Sequence, residues 1–314
     1  MPNNLTLLDL AKINGKDAVV GLIEEVATAS PEVGIIPART IRGTSYKTAI
    51  RSKRPSVGFR KANQGTDSTK SEFTERLVEC FILSSLVEVD KAVANAYEDG
   101  VAELQAIEAA GVMAEAMTTV GTQTIYGKSA DENGFFGLEA LQQALQNDIT
   151  VNAGGSTADA ASSVYFINAG TQGVQYVYGN GSTFDLSPFR EQHITKDNKS
   201  LAAYVADLTA WVGLQCVNKN AVGRIFNITE GNPLTDSMGD DLFAKFPIGI
   251  KPTHCLMSRR SARQLQVSRS VTINSTGNGS GSRSGVTSPL PTEFAGVPSI
   301  VTDSIVNTEA IVTP

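Results

Sequence analysis

Seven positive side chains crowd one short stretch of the chain, residues 40–61: Arg42, Lys47, Arg51, Lys53, Arg54, Arg60 and Lys61. No Asp or Glu stands between Glu32 and Asp67 to offset them. The chemistry open to such a run is charge pairing, either with nucleic-acid phosphates or with carboxylates of another protein surface. The remainder of the chain favours carboxylates. The protein carries a net charge of −6, and between Glu72 and Glu115 ten acids face only two bases, Arg76 and Lys91. Glu88, Glu98, Asp99, Glu103 and Glu108 are the candidate partners on that acidic stretch. A nucleic-acid-binding protein using 42–61 as an arm would need further basic residues on its body, interleaved with stacking aromatics. The acidic remainder argues against that alternative.

The other polar residues do not gather into a catalytic or metal-binding pattern. The two histidines, His193 and His254, are far apart in sequence. His254 adjoins Cys255, but neighbours on a strand point to opposite faces and chelate poorly. Cys80, Cys216 and Cys255 are isolated and odd in number, which suits small apolar core residues rather than a disulfide framework. The stretch "GNGSGSRSG" lacks the strand before and helix after that a phosphate cradle requires. "DSMGDD" (236–241) lacks the ligand alternation of a calcium loop and suits a helix start, where acids meet the positive end of the dipole. No nucleophile–base motif occurs, so neither an enzyme nor a cofactor is expected, and an unrecognised hydrolase is the weakest rival.

The elements that must carry the charges follow from local pattern. Composition, 41% hydrophobic and 18% charged, is that of a globular domain. The first residues lack the basic and apolar regions of a signal peptide, and no run of eighteen apolar residues occurs, so cytosolic synthesis is expected. Residues 1–38 read as an extended arm. Between Thr44 and Arg60, β-branched and aromatic residues surround Arg54-Pro55-Ser56, which predicts a two-stranded hairpin turning there. Such a hairpin has no core of its own and must lean on another surface. Residues 65–71 link it back to the body.

The stretch 89–120, rich in Ala and Glu, predicts one helix of roughly 45 Å. Beyond it, 162–167 and 174–186 read as strands, the second with a turn at Gly179-Asn180-Gly181. A long strand at 203–217 is expected to pair with 221–228. Residues 232–246 read as a helix, 253–258 as a strand followed by a helix, 274–288 as a flexible loop, and the last segment as two strands about a turn.

This order of parts resembles the major capsid proteins of tailed bacteriophages with the HK97-type fold, in particular the short podovirus and siphovirus branch. The resemblance rests on "TERLVECFILSSLVEVDKAVANA", "TIYGKSADENGFFGLEAL", "SSVYFINAGTQGVQYVYGNG", "VGLQCVNKNAVGRIFNI", "CLMSRRSARQL" and "FAGVPSIVTDSIVNTEAIV", which together span most of the chain from about residue 70. In one respect the chain departs from the pattern. The strands at 162–228 precede the "MSRRSARQL" helix, whereas many such proteins place comparable strands after it, leaving room for a rearranged strand order.

The resemblance implies an α+β, HK97-like capsid fold. It divides the chain into an N-terminal arm (1–38), an extended E-loop (39–72), a peripheral domain (73–125 and 163–229, spine helix about 89–119) and an axial domain (126–162 and 230–314). It further implies a structural protein that self-assembles into hexamers and pentamers of an icosahedral head enclosing double-stranded DNA without sequence-specific binding. Scaffolding, portal and decoration proteins would be its partners, no membrane would be involved, and the shell would assemble in the host cytoplasm. The seven basic residues of 42–61 would then reach the acids of a neighbouring copy. An encapsulin-type compartment shell, which shares the fold, is the alternative.

Overall fold

The computed structural model describes residues 9, 13–14, 28–144, 148–181, 185–196, 198–274, 283–286 and 288–312. A short helix α1 (Glu32–Ile35) and strand β1 (Ala38–Thr40) lead into β2 (Ser45–Lys53), β3 (Glu72–Glu79) and β4 (Phe81–Asp90). Helices α2 (Lys91–Asn95), α3 (Val101–Tyr126) and α4 (Leu138–Ala144) follow, then strands β5 (Thr150–Asn152), β6 (Ser162–Ile167), β7 (Val174–Tyr178), β8 (Arg190–Lys196), β9 (Lys199–Cys216) and β10 (Val222–Ile228). The chain continues through α5 (Asp236–Ala244), β11 (His254–Met257), α6 (Arg259–Arg269), β12 (Val271–Asn274), β13 (Arg283–Val286), β14 (Glu293–Phe294) and β15 (Val297–Val301).

Two sheets organise these elements. In the first, the order is β1-β7-β9-β4, with β8 also on β9. The long strand β9 pairs antiparallel with β4 from Ala203 to Val212, and its other edge takes β8 near its start and β7 near its end. The second sheet runs β14-β15-β11-β6-β10-β5. All six residues of β6 are buried, and they alternate between two cores. Tyr165 and Ile167 join Val120 and Ile125 of α3 and the β7 and β9 side chains in a core between the sheets. Val164 and Phe166 face the opposite way, toward Leu242 of α5, Leu265 of α6 and Phe294. A strand sandwiched on both faces reads as a continuous apolar run, which is the pattern of "SSVYFI". Each such side chain contributes roughly 2 kcal/mol of transfer free energy.

The structure departs from the sequence reading in several places. The predicted helix over 89–120 is split. Val89 and Asp90 belong to β4, whose ten residues pair one by one with β9. The Asp90 carboxylate then caps α2 by accepting from Ala92 N at 2.8 Å. Gly100, at φ +92°, starts α3 afresh, and a left-handed residue cannot lie inside a continuous helix. The rod is therefore 26 residues, roughly 39 Å.

The hairpin also turns elsewhere. Residues 44–60 do not fold back at Pro55; β2 pairs antiparallel with β3, from Ser45↔Glu79 to Lys53↔Glu72. Finally, β9 and β10 do not pair. A 3₁₀ turn at Lys219–Ala221, held by Asn220 N donating to Asn218 Oδ1 at 3.0 Å, sends β10 into the second sheet beside β6. Within the predicted loop 274–288, Arg283–Val286 form a strand on β12, while 275–282 and 287 lie outside the described residues. Strands 162–167 and 222–228 share one sheet with β11 and β15, so that sheet crosses the sequence-based bounds at 162/163 and 229/230.

Candidate inter-subunit surface

The β2–β3 hairpin is rooted on the first sheet and extends beyond it. At the root, Cys80 N donates to Thr44 O at 2.8 Å, and the Tyr46 hydroxyl donates to Gln215 Oε1 of β9. The Arg39 guanidinium sits 4.2 Å from the centre of the Tyr46 ring. Burial is the largest influence on the Tyr46 phenol and raises its pKa above the usual tyrosine value. Gly213 of β9 allows the close approach: a Cβ there would lie 2.4 Å from Glu79 O. Val78 and Cys80 are buried against Val177 and Val217, with Ile50 and Trp211 packed around them. Beyond this patch nothing among the described residues packs beneath the hairpin, and every residue from Arg51 to Lys70 is exposed.

The structure places the seven basic residues along this projection. Arg42 is exposed in the turn between β1 and β2, Lys47, Arg51 and Lys53 lie on β2, and Arg54, Arg60 and Lys61 lie in the 54–71 connection. Two of them are paired within their own hairpin. Lys47 Nζ is 3.2 Å from Glu75 Oε2, and Lys53 Nζ is 3.3 Å from Glu72 Oε1. Arg51 stacks on Phe73 at 5.6 Å, and Arg60 Nη1 donates to Gln64 O at 2.7 Å. These are solvent-exposed pairs, worth about 0–1 kcal/mol each. They orient side chains more than they stabilise the fold.

The acidic candidates spread over a strand, a turn and a helix. Glu88 is on β4, Glu98 and Asp99 stand in the turn before α3, and Glu103 and Glu108 lie in its first turns. Only the C-terminal half of α3 is deeply packed: Ala116, Val120, Gly121, Gln123, Thr124 and Ile125 are buried, but Leu104 alone in the first half. The first half instead borders a groove of about 1030 Å³ against β4, lined by Glu103, Glu108, Glu115 and Asp131 among others. Desolvation there raises the pKa of Glu108 above the ordinary carboxylate range.

Sequence reasoning ran Glu72 and Glu75 into one acidic stretch with the residues up to Glu115, whereas the register puts them on the hairpin's second strand. It also missed exposed apolar residues on the same projection, Val57, Phe59, Phe73 and Leu77. The cysteines are free and buried, as their isolation suggested. Among the described residues no group of three or more His, Cys, Asp or Glu side chains could hold a metal ion, and no helix is long and apolar enough to cross a membrane.

Comparison with known proteins agrees with this architecture. The cryo-EM structure of bacteriophage Epsilon15 superposes with a TM-score of 0.71 at 19% identity, covering 99% of this chain and 98% of that one. The bacteriophage JBD30 capsid gives 0.50 at 10% identity over 90% and 93%. An encapsulin of Synechococcus elongatus PCC 7942 gives 0.47 at 9% identity over 72% and 96%. No curated protein matches the sequence. The fold is thus the mixed α and β architecture of HK97-like phage capsid structures. A family model described as major capsid protein GP7 matches residues 35–313, nearly the whole chain, and the chain belongs to that family of capsid shell proteins.

Proposed function

We propose that copies of this protein form the hexamers and pentamers of an icosahedral phage head that encloses double-stranded DNA without sequence-specific contacts. The first sheet with α3 is the peripheral domain, the second sheet with α5 and α6 is the axial domain, and the β2–β3 hairpin is the E-loop; of the N-terminal arm read over 1–38, residues 1–8, 10–12 and 15–27 lie outside the described residues. The observation that carries the reading is the hairpin itself. A two-stranded ribbon with a long exposed connection has no core and gains stability only against another surface.

Its basic residues, Arg42, Lys47, Arg51, Lys53, Arg54, Arg60 and Lys61, suit the acids Glu88, Glu98, Asp99, Glu103 and Glu108 of the next copy. Charge complementarity of this kind selects partner and register more than it adds affinity. Closure into a ring and then a shell multiplies many weak contacts. Scaffolding, portal and decoration proteins are the further partners this role calls for, with assembly in the host cytoplasm.

Negative-stain microscopy tests the proposal. Purified protein, alone or with a scaffold, should form large closed particles, and a stable monomer under all assembly conditions would sink it. Removing residues 54–71 and joining the strands with a short turn should leave a folded protomer that builds no stable shell. Normal shells from that variant would remove the hairpin from the mechanism.

A further inference from the structure

Glu32, in the first turn of α1, is a buried carboxylate with little to hold its charge. It is 0% exposed, its Oε1 accepts from the Ser304 hydroxyl, and its Oε2 is buried without a hydrogen-bond partner. Among the described residues no Lys, Arg or His forms an ion pair with it. The carboxylate lies against α3 at Gly121, where an added Cβ would come within 2.6 Å of Oε1. The helix offers it no donor there, because amides inside a helix already bond the preceding turn. Burying a charge behind one neutral hydrogen bond costs free energy that other contacts must offset.

Those contacts come from the C-terminal segment. Ala29 N donates to Asp303 Oδ2 at 3.0 Å, and Asp303 N donates back to Ala29 O at 3.1 Å. Thr302 Oγ1 donates to the same carbonyl at 3.5 Å, and the Ser30 and Ser304 hydroxyls bond at 2.8 Å. The C-terminal segment has its own hold on the body. Ile305 is buried in the core between the sheets, and Val306 N donates to the Tyr126 hydroxyl at 2.9 Å. The chain after Glu32 is also fixed independently: Ile36 is buried in that core, Val33 packs against it, and β1 pairs with β7. Residues 28–32 lie outside every apolar cluster, so polar contacts to Thr302, Asp303 and Ser304 are what seats them.

We propose that residues 28–32 form a sprung catch, held shut by Thr302, Asp303 and Ser304 against the cost of the buried Glu32 carboxylate. The catch opens as a unit. Opening returns Glu32 to water and frees the chain before Val33, while Ile36, β1 and both sheets stay in place. A segment held by a few polar contacts and opposed by a buried charge belongs to the low-stability end of a fold, where local opening precedes global unfolding. The device is complete in a single protomer and does not depend on the shell reading.

Hydrogen exchange of the unassembled protomer, read by mass spectrometry, tests the catch, with the fully buried strand β6 as internal reference. Glu32→Gln removes the charge and should slow exchange over residues 28–36 about tenfold while β6 is unchanged. Glu32→Met, which brings no polar atom of its own, is run alongside, and slowing in either variant supports the spring. Asp303→Ala removes the acceptor of Ala29 N and should speed exchange over the same residues about tenfold. Ser304→Ala takes its place if β6 exchange shows that the fold itself is disturbed. Exchange that slows in neither Glu32 variant means that the carboxylate does not strain the seat, and this overturns the proposal. An unchanged rate on removing the C-terminal contacts overturns it as well, because something else then holds residues 28–32.

Discussion

Arg224 of β10 and Glu309 near the C-terminus meet inside the molecule, Nη2 to Oε2 at 3.4 Å, with side chains only 4% and 7% exposed. Ser163 stands between them: Arg224 Nη2 donates to its Oγ at 2.9 Å, and that hydroxyl donates to Glu309. Glu139 takes a second guanidinium nitrogen at 2.9 Å, and Tyr126 donates to Glu309 at 2.7 Å. One buried cation thereby ties α4, the end of α3 and the C-terminal segment to the second sheet. Glu309→Ala leaves a buried guanidinium short of a partner and should cost about 3 kcal/mol. The measurement is the urea midpoint of the protomer, and an unchanged midpoint would show that the C-terminal segment is held by other contacts.

Gly121 of α3 is buried where the N-terminal segment crosses the helix. A Cβ there would lie 2.5 Å from both Ser30 Oγ and Ser304 Oγ and 2.6 Å from Glu32 Oε1. Alanine is the better helix former by roughly 1 kcal/mol, but here it must displace α1. Gly121→Ala should therefore keep α3 helical while speeding protease cleavage around residues 28–36. Equal cleavage rates would mean that the segment accommodates the methyl group.

Lys47 and Lys53 separate contacts within a copy from contacts between copies. Their partners Glu75 and Glu72 are on the same hairpin, and all four side chains are more than half exposed. Lys47→Ala with Lys53→Ala should change protomer stability by less than about 1 kcal/mol. A markedly lower particle yield at unchanged protomer stability would assign those charges to the neighbouring copy.

Glu108 gives a pH dependence of known sign. Desolvation raises its pKa in the folded protomer above the value in the unfolded chain. The folded state therefore holds the proton more tightly, and that stability, complete below the unfolded pKa, is lost as pH rises through the raised folded value. Glu108→Gln should stabilise the protomer at neutral pH by less than about 1 kcal/mol, because the site is only half buried. The gain should vanish under acid conditions, and urea midpoints across the carboxylate range will show whether it does.

The three thiols should be slow to react. Burial pushes the Cys216 pKa up to about 12, with nearby Arg76 opposing, and burial also raises Cys80 and Cys255. Little thiolate exists at neutral pH in such sites. Native protein should resist thiol reagents until urea unfolds it, and rapid labelling of one cysteine in native protein would place that site nearer solvent.

The sequence by itself determined what depends on neighbouring residues. The period-2 run of 203–217, the apolar "SSVYFI", the Gly-Asn-Gly turn and the helices at 236 and 259 are all present at close to the expected bounds. In each, side-chain periodicity and turn residues act over a few positions, so local pattern suffices. The isolation of the cysteines likewise sufficed to place them in a reduced core.

Tertiary structure alone decided the long-range pairings. Whether β2 meets residues just past Pro55 or Glu72–Glu79 depends on which strand completes the ribbon, and the loop-closure cost of the longer connection exceeds that of a tight turn by only about 1.5 kcal/mol. Partner choice then lies with cross-strand contacts such as Lys47 with Glu75, which a local turn signal cannot reveal. For the same reason the acidic run from Glu72 to Glu115 looked like one surface, although it is divided between the hairpin, the edge strand β4 and the wall of a groove. The charges of 42–61 were legible from the first line. Their two partners within the same chain were not, because register belongs to the folded sheet.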